Sequence, residues 1–451
     1  MTATHTTTAR ASARSRIRAA LRTRTAAAAA TAATAAGLLA GLAGAPAAQA
    51  AAARPAATAA ASPIRYGTLD SYPNHAAAEH AAGITAAMFE FNWSAFEPSP
   101  GVFDPSYLAT MRRHLATYQA AGQQITLGLG LEDTPGWVKA LPDASYVDEH
   151  GDVSSEADFV YSAAVRTAAA GYLTQIAKDF PLAGFSAIRL DSGGDPEMLY
   201  PGDHNGYWAF SHAALTGAGL PAGMTPNPDP AWRPGQAGLT KAQRDAWITW
   251  YIGGLDNLTG WEMTTLTSLG FTGSFETVTP GSGTRPDGLT ADENASFGNH
   301  DQTTEAGAVW DRYYAMLPSK NRVIAYISSV ADNSGNDDTC TPADTTLPLT
   351  SPAMDNWSAT RWITRIARAN GLPAGGENAG YNLPVAGENV GYNMPSTLDG
   401  HYLDKSAHGM MADALRQAQT CGFTAFYWAH DVHLWDGRLS LGLYVTDITA
   451  Y

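Results

Sequence analysis

Acidic and aromatic side chains gather at the ends of short apolar runs in this sequence. One run ends in Phe89-Glu90-Phe91-Asn92-Trp93. A second leads into Glu132-Asp133-Thr134-Pro135-Gly136-Trp137, and a third into Asp191 and then Glu197. Tyr200, Asn205 and Trp208 follow, and a further run passes Glu276. Two later runs end in Gly375-Gly376-Glu377-Asn378 and in Tyr427-Trp428-Ala429-His430-Asp431, the latter followed by His433, Trp435 and Asp436. Carboxyl groups in pairs suit cleavage of a glycosidic bond: one donates a proton to the leaving oxygen, the other attacks or activates water. Flat aromatic faces pack on the apolar face of a sugar ring. Asn92, Asp133, Asn205, His430 and Asp431 are therefore candidate hydroxyl contacts, and Trp93, Trp137, Trp208, Trp428 and Trp435 candidate stacking surfaces.

Something must hold these residues around one mouth. Strand-like runs at Ile64–Asp70, Ile84–Trp93, Gln123–Gly130, Gly184–Asp191, Phe271–Pro280, Asn321–Val330, Pro373–Asn378 and Phe423–Val432 alternate with helix-like stretches. Those helices are expected at Asn74–Gly83, Pro105–Gly122, Ser162–Pro181, Lys241–Leu269, Asn299–Leu317, Ala353–Asn370 and His401–Thr420. Eight strands in alternation predict an α/β chain folded as a (β/α)8 TIM barrel with long loops, as one domain over residues 63–451. So few residues follow the last strand that the eighth helix is expected to be short or missing. An open doubly wound sheet is the alternative, but no Gly-rich phosphate turn follows an early strand. Barrel sites lie at the carboxyl ends of the strands, where the acidic and aromatic clusters fall.

Charge and targeting narrow the partners. The chain has 451 residues and a net charge of −15. Residues 1–50 hold six Arg and no acid, leaving a two-to-one excess of acidic over basic side chains in the remainder. Such a surface repels phosphate backbones and argues against nucleic acid or anionic membranes as partners. The Arg-rich start, the uncharged Ala26–Gly44 run and Ala48-Gln49-Ala50 predict a secretory signal peptide cleaved near Ala50, then an Ala-rich tether at 51–62. The mature protein is expected outside the cell and off the membrane. An oxidising compartment would permit Cys340 and Cys421 to pair, which the sequence leaves open.

The run from Trp93 to Asp104 (WSAFEPSPGVFD) resembles a signature of retaining glycoside hydrolases, especially the β-galactosidases of glycoside hydrolase family 42. Thr134-Pro135-Gly136-Trp137 is similar to a turn of that group. Gly194–Pro201 (GDPEMLYP) resembles the general-acid region of the β-amylases. The resemblance implies an acid/base Glu after the fourth strand and a nucleophile Glu ending the seventh, which fall on Glu197 and Glu377. Two departures matter. Asp195 and Pro196 stand where an Asn precedes the acid/base in that group, so Asp195 or Asp191 is an alternative. Residues 372–382 (LPAGGENAGYN) are nearly repeated at 383–393 (LPVAGENVGYN), so Glu388 is an alternative to Glu377. The implied activity is retaining hydrolysis of β-linked oligosaccharides or polysaccharides. The alternatives are an inverting β-amylase-like enzyme and an inactive carbohydrate-binding barrel. No cofactor or metal is expected: the His430, Asp431, His433 and Asp436 group lacks further ligands, and Asp332–Asp338 does not keep an EF-hand spacing.

Overall fold

The computed structural model describes residues 63–69, 72–193, 196–202, 206–297, 302–331, 338–378 and 401–450. The expected signal peptide and tether, Asp195, Asn205, Glu388 and most of Asp332–Asp338 lie outside them. Among the described residues ten strands run in chain order: β1 (Arg65–Thr68), β2 (Ala86–Glu90), β3 (Gln124–Gly128), β4 (Ser145–Val147), β5 (Val153–Ala157), β6 (Ala187–Leu190), β7 (Ser274–Thr279), β8 (Val323–Ile327), β9 (Ala374–Asn378) and β10 (Ala425–Trp428). Eight of them close a barrel in the order β1-β10-β9-β8-β7-β6-β3-β2. Each neighbouring pair is parallel. This is the predicted (β/α)8 fold.

Local chemistry explains the elements. The helix Pro105–Ala121 starts where the Asp104 carboxylate accepts the Ser106 and Tyr107 amides at 2.7 and 3.0 Å. It ends at Gly122, whose φ of 84° suits a residue without a side chain. Along the barrel strands alternate residues face out and in. The outward set, such as Ile125, Leu127, Phe275 and Ile327, joins the large core beneath the helices. The inward set is mixed in size. Gly67 leaves space for the Tyr427 ring, to which an added Cβ would approach within 2.7 Å.

Three details depart from expectation. The second strand stops at Glu90, because the Asn92 side chain caps a one-turn helix, Trp93–Phe96. The helix expected over Asn299–Leu317 is two pieces, Gln302–Glu305 and Trp310–Met316, and another, Pro286–Asn294, precedes them. The β4–β5 hairpin within the loop after β3 was not expected. The eighth helix is short, as one of the two expected alternatives had it, at Leu441–Ala450, and Tyr444 Oη donates to the Gly67 carbonyl at 2.9 Å. Cys340 and Cys421 form a disulfide with Cα atoms 5.0 Å apart. It ties the loop after β8 to the end of the helix Met410–Thr420. Among the described residues, no helix is long and apolar enough to cross a membrane.

Candidate active site

Glu377 sits one residue from the end of β9, in register with Tyr427, and only 5 % exposed. A bare carboxylate at such a position would be costly to bury. Two inward side chains offset this. Arg189 on β6 forms an ion pair with Glu377 Oε2, and Tyr326 Oη on β8 donates to the same oxygen at 2.9 Å. The Arg189 guanidinium also lies over the Tyr326 ring, 4.6 Å from its centroid. Burial first, and the Glu377 charge second, raise the Tyr326 phenol well above its ordinary value, so the hydroxyl remains a donor. Oε1 of Glu377 makes no hydrogen bond among the described residues.

Glu197 follows β6 in a loop that crosses the end of β7. The Met198 amide donates to the Val278 carbonyl at 2.7 Å, and the Met198 side chain is fully buried. Ser192 closes the loop on itself, its amide and hydroxyl both donating to the Glu197 carbonyl. The Glu197 side chain is then partly exposed and accepts from Ser328 Oγ. Ser328 lies one residue past the end of β8 and two past Tyr326, its amide donating to the Thr279 carbonyl at 3.0 Å. β8 and the residue that follows it therefore touch both carboxylates.

A second carboxyl group sits beside this pair. Burial pushes Asp191 up to about 7; the Gly193 amide, donating at 2.8 Å, and Arg189 oppose the rise, while Glu90 and Asp133 add to it. Gly193 reaches that position with φ 78°, and a Cβ there would lie 2.2 Å from the Phe159 ring. Glu132, after β3, is raised well above the carboxylate range by burial, then by Asp191 and Glu90. Below them Glu276 is fully buried on β7, beside Arg189 in the strand register, and neither carboxylate oxygen accepts a hydrogen bond. Burial pushes it up to about 6, against Arg189 and Arg65 and assisted by Glu377. The mouth thus combines an arginine-paired carboxylate with carboxyls that burial pushes above the ordinary carboxylate range.

The other expected site residues divide. Trp93, Trp208 and Trp428 are fully buried, which corrects their assignment as stacking surfaces. Trp93 stacks on Tyr172 at 4.7 Å and donates to Glu97 at 2.8 Å. Trp208 donates to the Pro201 carbonyl at 2.7 Å, and Trp428 stacks on Tyr402 at 5.7 Å. Asn92 spends its amide on the helix cap and on Asp133, donating to Oδ2 at 2.5 Å, so both are engaged with protein. Asp431 is fully buried and His430 partly exposed at φ 52°. Trp137 and Trp435 are partly exposed; Trp435 stacks on His75 at 4.0 Å. The ring nitrogens of His433 contact Tyr402 Oη at 2.6 Å and Arg438 Nη1 at 2.8 Å, which leaves neither for a metal. Arg189, Tyr326 and Ser328 escaped the sequence reading. Their one signal was polar residues spaced by two in otherwise apolar strands.

A scan against protein-family models finds no match, and no curated protein sequence matches the chain. Solved structures do. The catalytic domain of a β-amylase from Paenibacillus polymyxa superposes with a TM-score of 0.53 at 15% identity, covering 87% of this chain and 99% of that one. A β-galactosidase from the psychrophilic Marinomonas ef1 superposes with a TM-score of 0.50 at 14% identity, covering 81% of this chain and 54% of that one. At these identities the likeness concerns the barrel fold.

Proposed function

We propose that the protein is a glycoside hydrolase in which Glu197 is the acid/base and Glu377 the charged partner. The observation that carries this reading is the bonding of both carboxyls to residues two apart at the end of β8, Glu377 to Tyr326 and Glu197 to Ser328 just past the strand. Arg189 pairs with Glu377 Oε2, which leaves Glu377 Oε1 for chemistry. In the retaining scheme, Glu197 gives its proton to the leaving oxygen as the anomeric C–O bond breaks, and Glu377 Oε1 bonds to the anomeric carbon. Water then displaces Glu377 and returns a proton to Glu197. The substrate is an oligosaccharide or polysaccharide, β-linked by the family 42 resemblance, with Trp137 and Trp435 as stacking surfaces. Secretion is part of this reading, and the disulfide supports it.

One observation favours a second scheme. The β-amylase likeness spans 99% of that structure and coincides with the Gly194–Pro201 resemblance. Under it Glu377 takes a proton from the attacking water, and the product is inverted. Product stereochemistry by NMR on a panel of aryl glycosides and oligosaccharides separates the two. Glu197→Gln and Glu377→Gln are each expected to lower kcat by about 10²–10⁴-fold. Undiminished turnover in either variant would refute its assigned role.

A further inference from the structure

The turn of the β4–β5 hairpin reads Asp148-Glu149-His150-Gly151-Asp152. The Glu149 side chain is wholly buried, with 0% exposure. Its Oε2 accepts the Tyr207 amide at 2.5 Å, which fixes the carboxylate plane. Among the described residues its Oε1 has no hydrogen bond, and it faces His150 Nε2 at 3.6 Å. That distance is too long for a hydrogen bond. It matches the edge of a coordination tetrahedron: ligands about 2.1 Å from a zinc ion stand about 3.4 Å apart. One ligand atom from each of Asp148, Glu149 and His150 lies within 4.8 Å of the other two.

The surroundings hold this set in place. Asp148 Oδ1 accepts the His150 and Asp152 amides, both at 2.8 Å. Gly206 passes so close that a Cβ there would lie 2.7 Å from Asp148 Oδ2. Carboxylate ligands oriented by outer hydrogen bonds are a common property of metal centres. We propose that Asp148, Glu149 and His150 bind a divalent transition-metal ion, zinc by ligand type. One imidazole with two carboxylates suits zinc better than calcium or magnesium, which favour all-oxygen shells. The His150 side chain is 60% exposed, so solvent completes the coordination on that side. The ion joins the hairpin to the Tyr207 segment that follows Glu197, and no step of glycoside cleavage passes through it. The proposal is therefore independent of the reaction proposed above.

The test is titration of zinc alone into chelator-stripped full-length protein by calorimetry, with cobalt absorption as a second readout. The wild type is expected to take up one ion at this site. His150→Ala removes a largely exposed side chain and is expected to lower the affinity at least about tenfold and abolish the cobalt bands. Glu149→Gln is expected to do the same, with its fold checked by circular dichroism. Failure of the wild type to bind zinc, or unchanged uptake by His150→Ala, would overturn the proposal.

Discussion

The disulfide offers a prediction whose size follows from the chain path. Cys340 and Cys421 are separated by 81 positions. Cross-linking such a loop removes conformational entropy from the unfolded chain worth about 4.5 kcal/mol at 25 °C. For a folded body of roughly 390 residues, at about 2.1 cal/mol/K each, that corresponds to a fall in Tm of about 5 °C when the link is broken. The assay has two stages. Thiol titration of the denatured, unreduced protein is expected to find no free cysteine, and two after reduction. Calorimetry then compares wild type, reduced wild type and Cys340→Ala/Cys421→Ala. The last two are expected to melt together, about 5 °C below the first. Free thiols in the unreduced protein would refute the pairing. A paired protein whose Tm is unchanged on reduction would refute the entropic argument. A fall confined to the double-Ala variant would assign the effect to packing around Cys421, which is fully buried.

Burial sets the sign of a pH effect at Glu276. Its folded pKa of about 6 lies above the ordinary 4.5, so the folded state holds the proton more tightly. The resulting stability is complete below pH 4.5 and is lost as pH rises through about 6. Relative to Glu276→Gln, the wild type is expected to lose about 2 kcal/mol between pH 4.5 and 7 in denaturant titrations; a flat difference would count against it. The tryptophans are expected to separate by role. Trp93→Ala, in the core, is expected to cost about 3–5 kcal/mol of stability. Trp435→Ala, partly exposed beside His75, is expected to raise KM with kcat little changed. If Trp435→Ala leaves KM alone, it is no stacking surface.

The barrel strands were most legible where a short apolar run is bounded by turn residues, as Val323–Ile327 is, and least in β9, which reads AGGEN. The carboxyl-end positions of Glu197 and Glu377 followed from counting those runs. Arg189 was not legible. In the strand Ala187–Leu190 a single arginine reads as an interruption, and only closure of the barrel brings it against Glu377. Trp93 illustrates the opposite failure. A tryptophan beside a carboxylate has the same chemistry whether it meets a sugar or the core. What decides is the Tyr172 ring, supplied by a helix much later in the chain. The hairpin escaped because β4 has three residues, too few for alternation to register.

Tyr326 and Ser328 act as two marks on a ruler. Consecutive same-face positions on a strand stand about 6.6 Å apart, a spacing fixed by backbone geometry. The two carboxyls each take their bearing from one mark. Loops around the mouth can therefore lengthen or change composition without altering the spacing between these two anchors. An insertion of one residue between the marks would turn Ser328 to the outer face and leave Glu197 without its reference. The positions of the two carboxyls and the make-up of the rim are in this way assigned to separate parts of the chain.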